Sequence, residues 1–389
     1  MDIRFPNILV VTDDSSTIFF DDKGVNCKVD VTDIRWIEKY IPRETNSAIV
    51  SLSTCEPEHD NYGISLSGCI SMLKDESIKK INFYLADVFR TSLSPMSGID
   101  FSCEGRIINK IIDECGISEY NVYHCEKIRQ NTTVDSLFNK TIYMDLFLIE
   151  QSQSEKYKLI NRPNKMFTSK ISCLNNRFEK HRLMITTLLH NVKDTFVTFN
   201  DLYACPLPSD FNEDMDAYMK YFSTKDQNKI KDNYKSLLSK NSSNQIRKNS
   251  LNSETQHGDI SILYTQSGFV NLVTETTFDV PHNYISEKTL KPMFTYRPFI
   301  LVAPQGTLSL LKDMGFKTFD KWWDESYDDE TDPSKRMSKI FEISKYILNK
   351  SYEELNNIYD EMETTLIYNR EQLEKIPSFF LKSLNKKIS

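Results

Sequence analysis

The stretch ISEKTLKPMFTYRPFILVAPQG, residues 285–306, places Ser286, Glu287, Lys288 and Thr289 at a helix start, ahead of Arg297 and an apolar run. Ser286 suits an N-cap and Glu287 is favoured in a first turn by the helix dipole, so neither asks for a ligand. Lys288 differs. A cation in the first turn opposes the dipole and becomes favourable once a polyanion sits there. Pro292 removes one helical hydrogen bond, so this helix must be short or bent. A second basic turn lies in LNNRFEKHR, residues 174–182, where Arg177 follows an apolar run and His181 and Arg182 open the next helix. Open α/β sheets bind ligands outside the carboxyl ends of their strands, where such a turn falls. For a lone arginine there a surface role is commoner than phosphate binding; two basic turns in one half of the chain strengthen the phosphate reading.

The familiar phosphate and hydrolase signatures are missing: no Gly-x-Gly-x-x-Gly, Walker loop, His-Glu-x-x-His or Gly-x-Ser-x-Gly occurs. With ten glycines in 389 residues, a phosphate must be held by side chains and helix N-termini rather than a glycine loop. Asp328-Asp329-Glu330 reads as a solvated acidic loop, and nothing in the pattern calls for a metal.

The elements that would position these residues read as α/β. Apolar runs at Asn7–Thr12, Ser47–Leu52, Ile81–Leu85, Asn121–His124 and Thr141–Ile149 predict strands of a mostly parallel sheet, with helical or looped segments between them. After the linker-like NRPNKM at 161–166, a strand at Ser169–Leu174 runs into an amphipathic helix with an apolar stripe of Leu183, Ile185, Thr187, Leu188 and Leu189. Further strands are expected at Phe196–Phe199, Phe269–Val273, Phe299–Ala303 and Phe316–Phe319. A short helix is expected at Leu308–Met314, capped by Thr307 and ended by Gly315. Beyond Pro333 the chain reads as nearly all helix, with Pro377 near its end. The domains expected are 1–160, 161–335 and a helical tail, 336–389. Between Ser223 and Ser250 seven Lys or Arg face two Asp, a local excess of five positive charges. That segment reads as a solvated insert or as a contact for a phosphate backbone.

The net charge of −7 argues against non-specific coating of nucleic acid, though it leaves room for a local basic groove. The apolar run Ile8–Val11 is too short for a signal-peptide core, and no run reaches membrane length, so a cytoplasmic protein is expected. The eight cysteines form no Cys-x-x-Cys pair and read as free thiols.

The pairing of ISCLNNRFEKHR with FVNLVTETTFDVPHNYISEKTLKPMFTYRPFILVAPQGTLSLLKDMGFKTF resembles the donor-binding half of GT-B glycosyltransferases. It is most similar to a group of phage and viral enzymes and more remotely to α1,3-fucosyltransferase-type enzymes. The likeness covers about residues 166–325; the first 150 residues and the basic insert lie outside it. It implies two Rossmann-like domains with a cleft between them and C-terminal helices that cross back to the first. It also implies a nucleotide-sugar co-substrate, without a cofactor or a required metal. Arg177 and Lys288 would then stabilise the departing nucleoside diphosphate, and Glu287 would accept hydrogen bonds from the ribose hydroxyls. Glu275 would read sugar or ribose. Arg297 would either assist or support its turn. An acceptor hydroxyl must lose a proton, which points to Asp13 and Asp14 after the first strand, with Asp87 and His124 also near strand ends. Loop acids of this kind also cap helices and turns. The implied acceptors are a hydroxymethylated base in phage DNA, in the host cytoplasm, or a glycan or small molecule. A binding protein that performs no transfer, or a DNA-binding protein that uses the insert alone, are the other classes open.

Overall fold

The computed structural model describes residues 7–11, 19–20, 26–27, 47–53, 66–75, 78–85, 102–124, 127–128, 142–154, 160, 167–175, 179–199, 211–241, 259–280 and 282–388. Two compact units emerge: Met1–Glu150 with Pro377–Ser389, and Gln151–Ile376.

The first unit is built on a five-stranded sheet of β1 (Asn7–Val11), β2 (Ser47–Ser53), β3 (Lys80–Leu85), β4 (Glu119–His124) and β5 (Ile142–Tyr143), in that spatial order. β2 to β5 run parallel, while β1 pairs antiparallel with β2. Ala48, Ile49, Val50, Ile81 and Phe83 are fully buried, as continuous apolar runs require when both faces of a parallel sheet are covered. α1 (Leu66–Asp75) links β2 to β3 and α2 (Ser102–Cys115) links β3 to β4. The strand expected over Thr141–Ile149 stops after two residues. Asp145 accepts the backbone N–H of Leu148 at 2.8 Å and so caps α3 (Leu146–Ser152), turning the rest of that apolar run into helix.

The second unit holds β6 (Ser169–Asn175), α4 (Lys180–Leu189), β7 (Thr195–Phe199), α5 (Phe211–Tyr218), α6 (Thr224–Asn241), α7 (Asp259–Ser267), β8 (Gly268–Thr274), α8 (Glu287–Phe294), β9 (Phe299–Val302), α9 (Thr307–Asp313), α10 (Pro333–Leu348) and α11 (Tyr352–Gln372). Its sheet has the order β7-β6-β8-β9 and every pairing is parallel. β8 approaches β6 closely at Gly268, where a Cβ would lie 2.7 Å from that of Ser172. Gly315, at φ +90°, ends α9 as expected.

Several expectations are corrected here. Phe316–Phe319 is not a strand, because its backbone groups are taken by side chains. Asn369 accepts from Lys317 N and donates to Lys317 O, and Glu325 accepts from Phe319 N at 2.7 Å. On the β9 edge itself, Leu301 N donates to the Tyr327 hydroxyl. The N-cap of α9 is Gly306 rather than Thr307, whose hydroxyl donates to Pro304 O instead. The basic segment 223–250 is no loose insert where it is described. α6 buries Ile230, Tyr234 and Leu237, and Asn233 donates to Thr187 O of α4. Its lysines 225, 229, 231 and 235 stay exposed. α10 and α11 belong to the second unit, α10 against β6 and β9 and α11 against α8. Pro377 sits in the first turn of a final helix, α12 (Ile376–Ile388), where its missing N–H costs nothing. Most of α12 falls in the first unit, where Phe380 packs edge-on to Tyr143. No described helix is long and apolar enough to cross a membrane.

Candidate functional site

The strand order of the second unit puts a switch point between β6 and β8. From β6 the chain moves outward to β7, then returns past β6 to β8 and continues to β9 on the other side. Right-handed crossovers send α4 and α8 to opposite faces, which opens a crevice between the carboxyl ends of β6 and β8.

Side chains at those two ends are tied together. Asn175, the last residue of β6, accepts a short hydrogen bond from the Thr274 hydroxyl and donates to Thr186 of α4 at 3.1 Å. Glu275, next along from β8, is the hub. Its carbonyl accepts from His181 Nε2 at 2.9 Å and Arg182 Nη2 at 3.0 Å, which fixes the start of α4. Its carboxylate accepts from Ser286 N at 3.1 Å, Ser286 Oγ at 2.6 Å and Thr289 Oγ1 at 2.5 Å, which fixes the start of α8. Burial, helped by neighbouring Arg182, holds the His181 pKa down to about 3. The ring is therefore neutral, and its bond to a carbonyl makes it the Nε2–H tautomer. His181 stacks on Phe278, and Arg336 lies over the same phenyl ring at 4.4 Å while donating to Phe278 O. The chain leaving β8 is thereby anchored.

Ser286 is the N-cap of α8, as expected, accepting from Lys288 N at 3.3 Å. The Lys288 ammonium lies 3.2 Å from Ser286 Oγ and 3.2 Å from Glu287 Oε1. Both charged side chains keep some exposure, 29% for Lys288 and 17% for Glu287. Burial pushes the Glu287 carboxyl up, but Lys288 and Lys291 outweigh it and hold it below the usual carboxylate range. A cavity of about 50 Å³ runs between Lys288, Lys291 and Pro292 on one side and Ser172, Asn271 and Thr274 on the other. It has room for a few waters, a foothold for part of a nucleotide and not for all of it.

Of the expected site residues, the structure brings together Glu275, Glu287 and Lys288. Arg177, Asp13, Asp14 and Asp87 lie outside the described residues. Glu275 has no exposed surface and spends both carboxylate oxygens on α8, so it positions Ser286 and Lys288 instead of reading a sugar or ribose itself. Arg297 sits at the opposite, amino end of the sheet, next to β9. Its guanidinium is clamped between Phe167 at 4.5 Å and Tyr359 at 5.2 Å and donates to Gln266 O, while burial lowers its pKa to about 10. It supports packing rather than the crevice. His124 is completely buried at the end of β4. Of the four residues that knit the crevice, Asn175 and Thr274 had one signal in the sequence, a polar residue at the end of an apolar run, while His181 and Arg182 were legible only as the opening of the next helix. Among the described residues no cluster of His, Cys, Asp or Glu could hold a metal, and Cys69, Cys115 and Cys173 are free thiols. Burial pushes the Cys173 thiol up to about 12, so it is inert.

Neither a protein-family model, nor a curated protein, nor a solved structure matches this chain.

Proposed function

We propose that the chain is a nucleotide-sugar-dependent glycosyltransferase of GT-B type, whose donor diphosphate rests against the start of α8. One observation carries the reading: a partly exposed lysine in the first turn of a helix that opens at the switch point of a parallel sheet. That position offers a helix N-terminus and a cation together, the two things a diphosphate needs in the absence of a glycine loop.

In this reading Lys288, with Arg177 two residues beyond β6 in sequence, takes up the negative charge that grows on the diphosphate as the glycosidic bond breaks. Glu287, held ionised by Lys288 and Lys291, accepts from the ribose hydroxyls. Glu275 and His181 touch no substrate; they keep α8 and α4 in register. The sugar carbon passes to the acceptor oxygen, whose proton goes to a carboxylate, with Asp13 and Asp14 as candidates. The exposed lysines of α6 favour a polyanionic acceptor such as phage DNA with a hydroxymethylated base; a neutral glycan is the alternative.

The test is thermal unfolding against a panel of nucleoside diphosphates and nucleotide sugars, with Glu287→Ala and Lys288→Ala beside the parent. A ligand at about 100 times its Kd adds roughly 2.7 kcal/mol, a shift of several degrees. One nucleotide should raise the midpoint in the parent and in neither variant, and transfer from its sugar to an added acceptor should then be measurable. If no nucleotide raises the midpoint, the reading fails. Binding without transfer would leave a nucleotide-sugar-binding protein. Steep loss of transfer with salt selects the DNA acceptor, and indifference to salt selects the glycan.

A further inference from the structure

A second cavity lies elsewhere in the same unit. It occupies about 570 Å³ on the outer side of β9, between the segment that follows α9 and the helix α10. This volume is typical of a small-molecule site. Trp322, Trp323, Ile343 and Tyr346 supply its apolar wall, and Asp324, Ser338, Lys339 and Glu342 its rim.

The aromatic wall is more than surplus core. Tyr346 is 45% exposed on a helix whose other face is fully packed, and Trp322 is half-buried. Each ring carries an ammonium over one face, which leaves the other face for a ligand. Lys321 lies 5.2 Å from the Trp322 ring and Lys350 lies 4.6 Å from that of Tyr346, while the Trp322 indole N–H donates to Glu361 at 3.2 Å. Trp323 is wedged against Phe319 at 5.3 Å, in direct continuity with the β9 core. Two aromatic platforms are thus presented to one cavity on a rigid frame.

The rim decides what would stand on them. Asp324 accepts from Ser326 N and Ser326 Oγ, each at 2.9 Å, which leaves half of its lone-pair sites open. Glu342 pairs through one oxygen with Lys345 at 2.7 Å and is otherwise exposed. Ser338 spends its proton on Tyr221 O and keeps its lone pairs. Lys339 already serves Ser326 O and Glu330, so one of its three donors remains. Lys345 is engaged by Glu342, and Lys321 and Lys350 lie over the two aromatic rings, so the open hydrogen-bonding positions of the rim are mostly acceptors. A polyanion cannot use them, and a purely apolar ligand would strand them. A ligand with a flat apolar face and many O–H donors satisfies both halves.

We propose that this cavity is a binding site for a neutral carbohydrate, stacked on Trp322 and Tyr346 and hydrogen-bonded to Asp324, Ser338 and Glu342. It is separate from the crevice at α8 and does not depend on the nucleotide reading. In an enzyme that glycosylates a glycan it would hold a remote part of the acceptor chain.

The test is fluorescence titration of the full chain with Trp36 replaced by phenylalanine, so that Trp322 and Trp323 alone report. The probes are maltohexaose, cellohexaose and chitotetraose. At least one should change the emission saturably, with affinity unaffected by salt. Tyr346→Ala, at an exposed position that leaves the fold intact by circular dichroism, should weaken that affinity about tenfold or more. Lys288→Ala should leave it unchanged, which separates this site from the donor crevice. The proposal is overturned by no saturable response to any of the three, by a response that Tyr346→Ala does not alter, or by tighter binding of a sulfated hexasaccharide than of the neutral ones.

Discussion

Two helices start at the carboxyl end of the same sheet, α8 after β8 and α9 after β9, and each start is closed by a buried carboxylate from a distant part of the chain. At α9 the carboxylate of Asp328 takes the backbone N–H groups of Leu308 and Ser309 directly, at 3.0 and 3.1 Å. No acidic residue of α9 itself occupies its first turn. The positive end of that dipole is met by the protein's own negative charge. At α8 the carboxylate of Glu275 takes one backbone N–H of the helix start, that of Ser286, together with two hydroxyls and the N–H of Thr276 beside it. Lys288 then adds a positive charge where the dipole is already positive. One terminus is complete within the protein, and the other gains from a further anion.

Truncating the two carboxylates should separate them most widely. Glu275→Ala strands three buried donors and releases the carbonyl-to-carboxylate link between α4 and α8, so a loss of about 3–5 kcal/mol is expected. Asp328→Ala removes two capping bonds from a seven-residue helix, for about 1–2 kcal/mol. Chemical unfolding followed by Trp322 and Trp323 emission, in chains with Trp36 replaced by phenylalanine, measures both. Equal losses would mean that the two carboxylates serve alike as caps and that Glu275 organises nothing more.

The two sides should also answer pH with opposite signs. Near α9, burial raises both Asp328 and Glu325, the latter to about 7 from an ordinary 4.5. A folded-state pKa above the unfolded one means that the folded protein holds the proton longer. Stability from Glu325 is then full below 4.5 and falls as pH rises toward 7, by about 3 kcal/mol. At α8 the Glu287 pKa is lowered in the folded state, so its contribution is present above the unfolded value and lost on acidification through the folded one. Glu325→Gln should flatten the fall between pH 4.5 and 7 and leave the protein more stable at neutral pH. A slope that survives this substitution would place the titration elsewhere.

The sequence made one of these termini visible and hid the other's logic. Ser286, Glu287 and Lys288 form a local pattern, and capping is a local interaction, so the start of α8 could be read directly. The strands of the second sheet were equally open because their apolar runs are buried on both faces. Glu275 was noticed for the right position and the wrong task. Its partners lie eleven and fourteen residues downstream, and no local rule pairs a carboxylate with hydroxyls across that span. Arg297 takes the supporting one of its two expected roles, and its place was hidden for a related reason. Its nearness to Lys288 in sequence hides the fact that α8 carries the chain from the carboxyl to the amino end of the sheet, where Phe167 and Tyr359 receive it. The non-strand at Phe316–Phe319 was lost to side chains of Glu325 and Asn369, again invisible to a local pattern.

The smallest effect is the sharpest test of the contrast. If Lys288 opposes the dipole of α8 and waits for an anion, removing its charge should relieve the empty protein. Lys288→Met keeps the aliphatic stem and should stabilise the ligand-free chain by about 0.3–1 kcal/mol at low salt, with the gain fading as salt is added. The ion pair with Glu287 works against this gain, and the gain appears only if Lys291 alone keeps the mostly buried Glu287 carboxylate ionised. A loss of stability in Lys288→Met would instead make the lysine a structural partner of Glu287, and the start of α8 would then be as complete as that of α9.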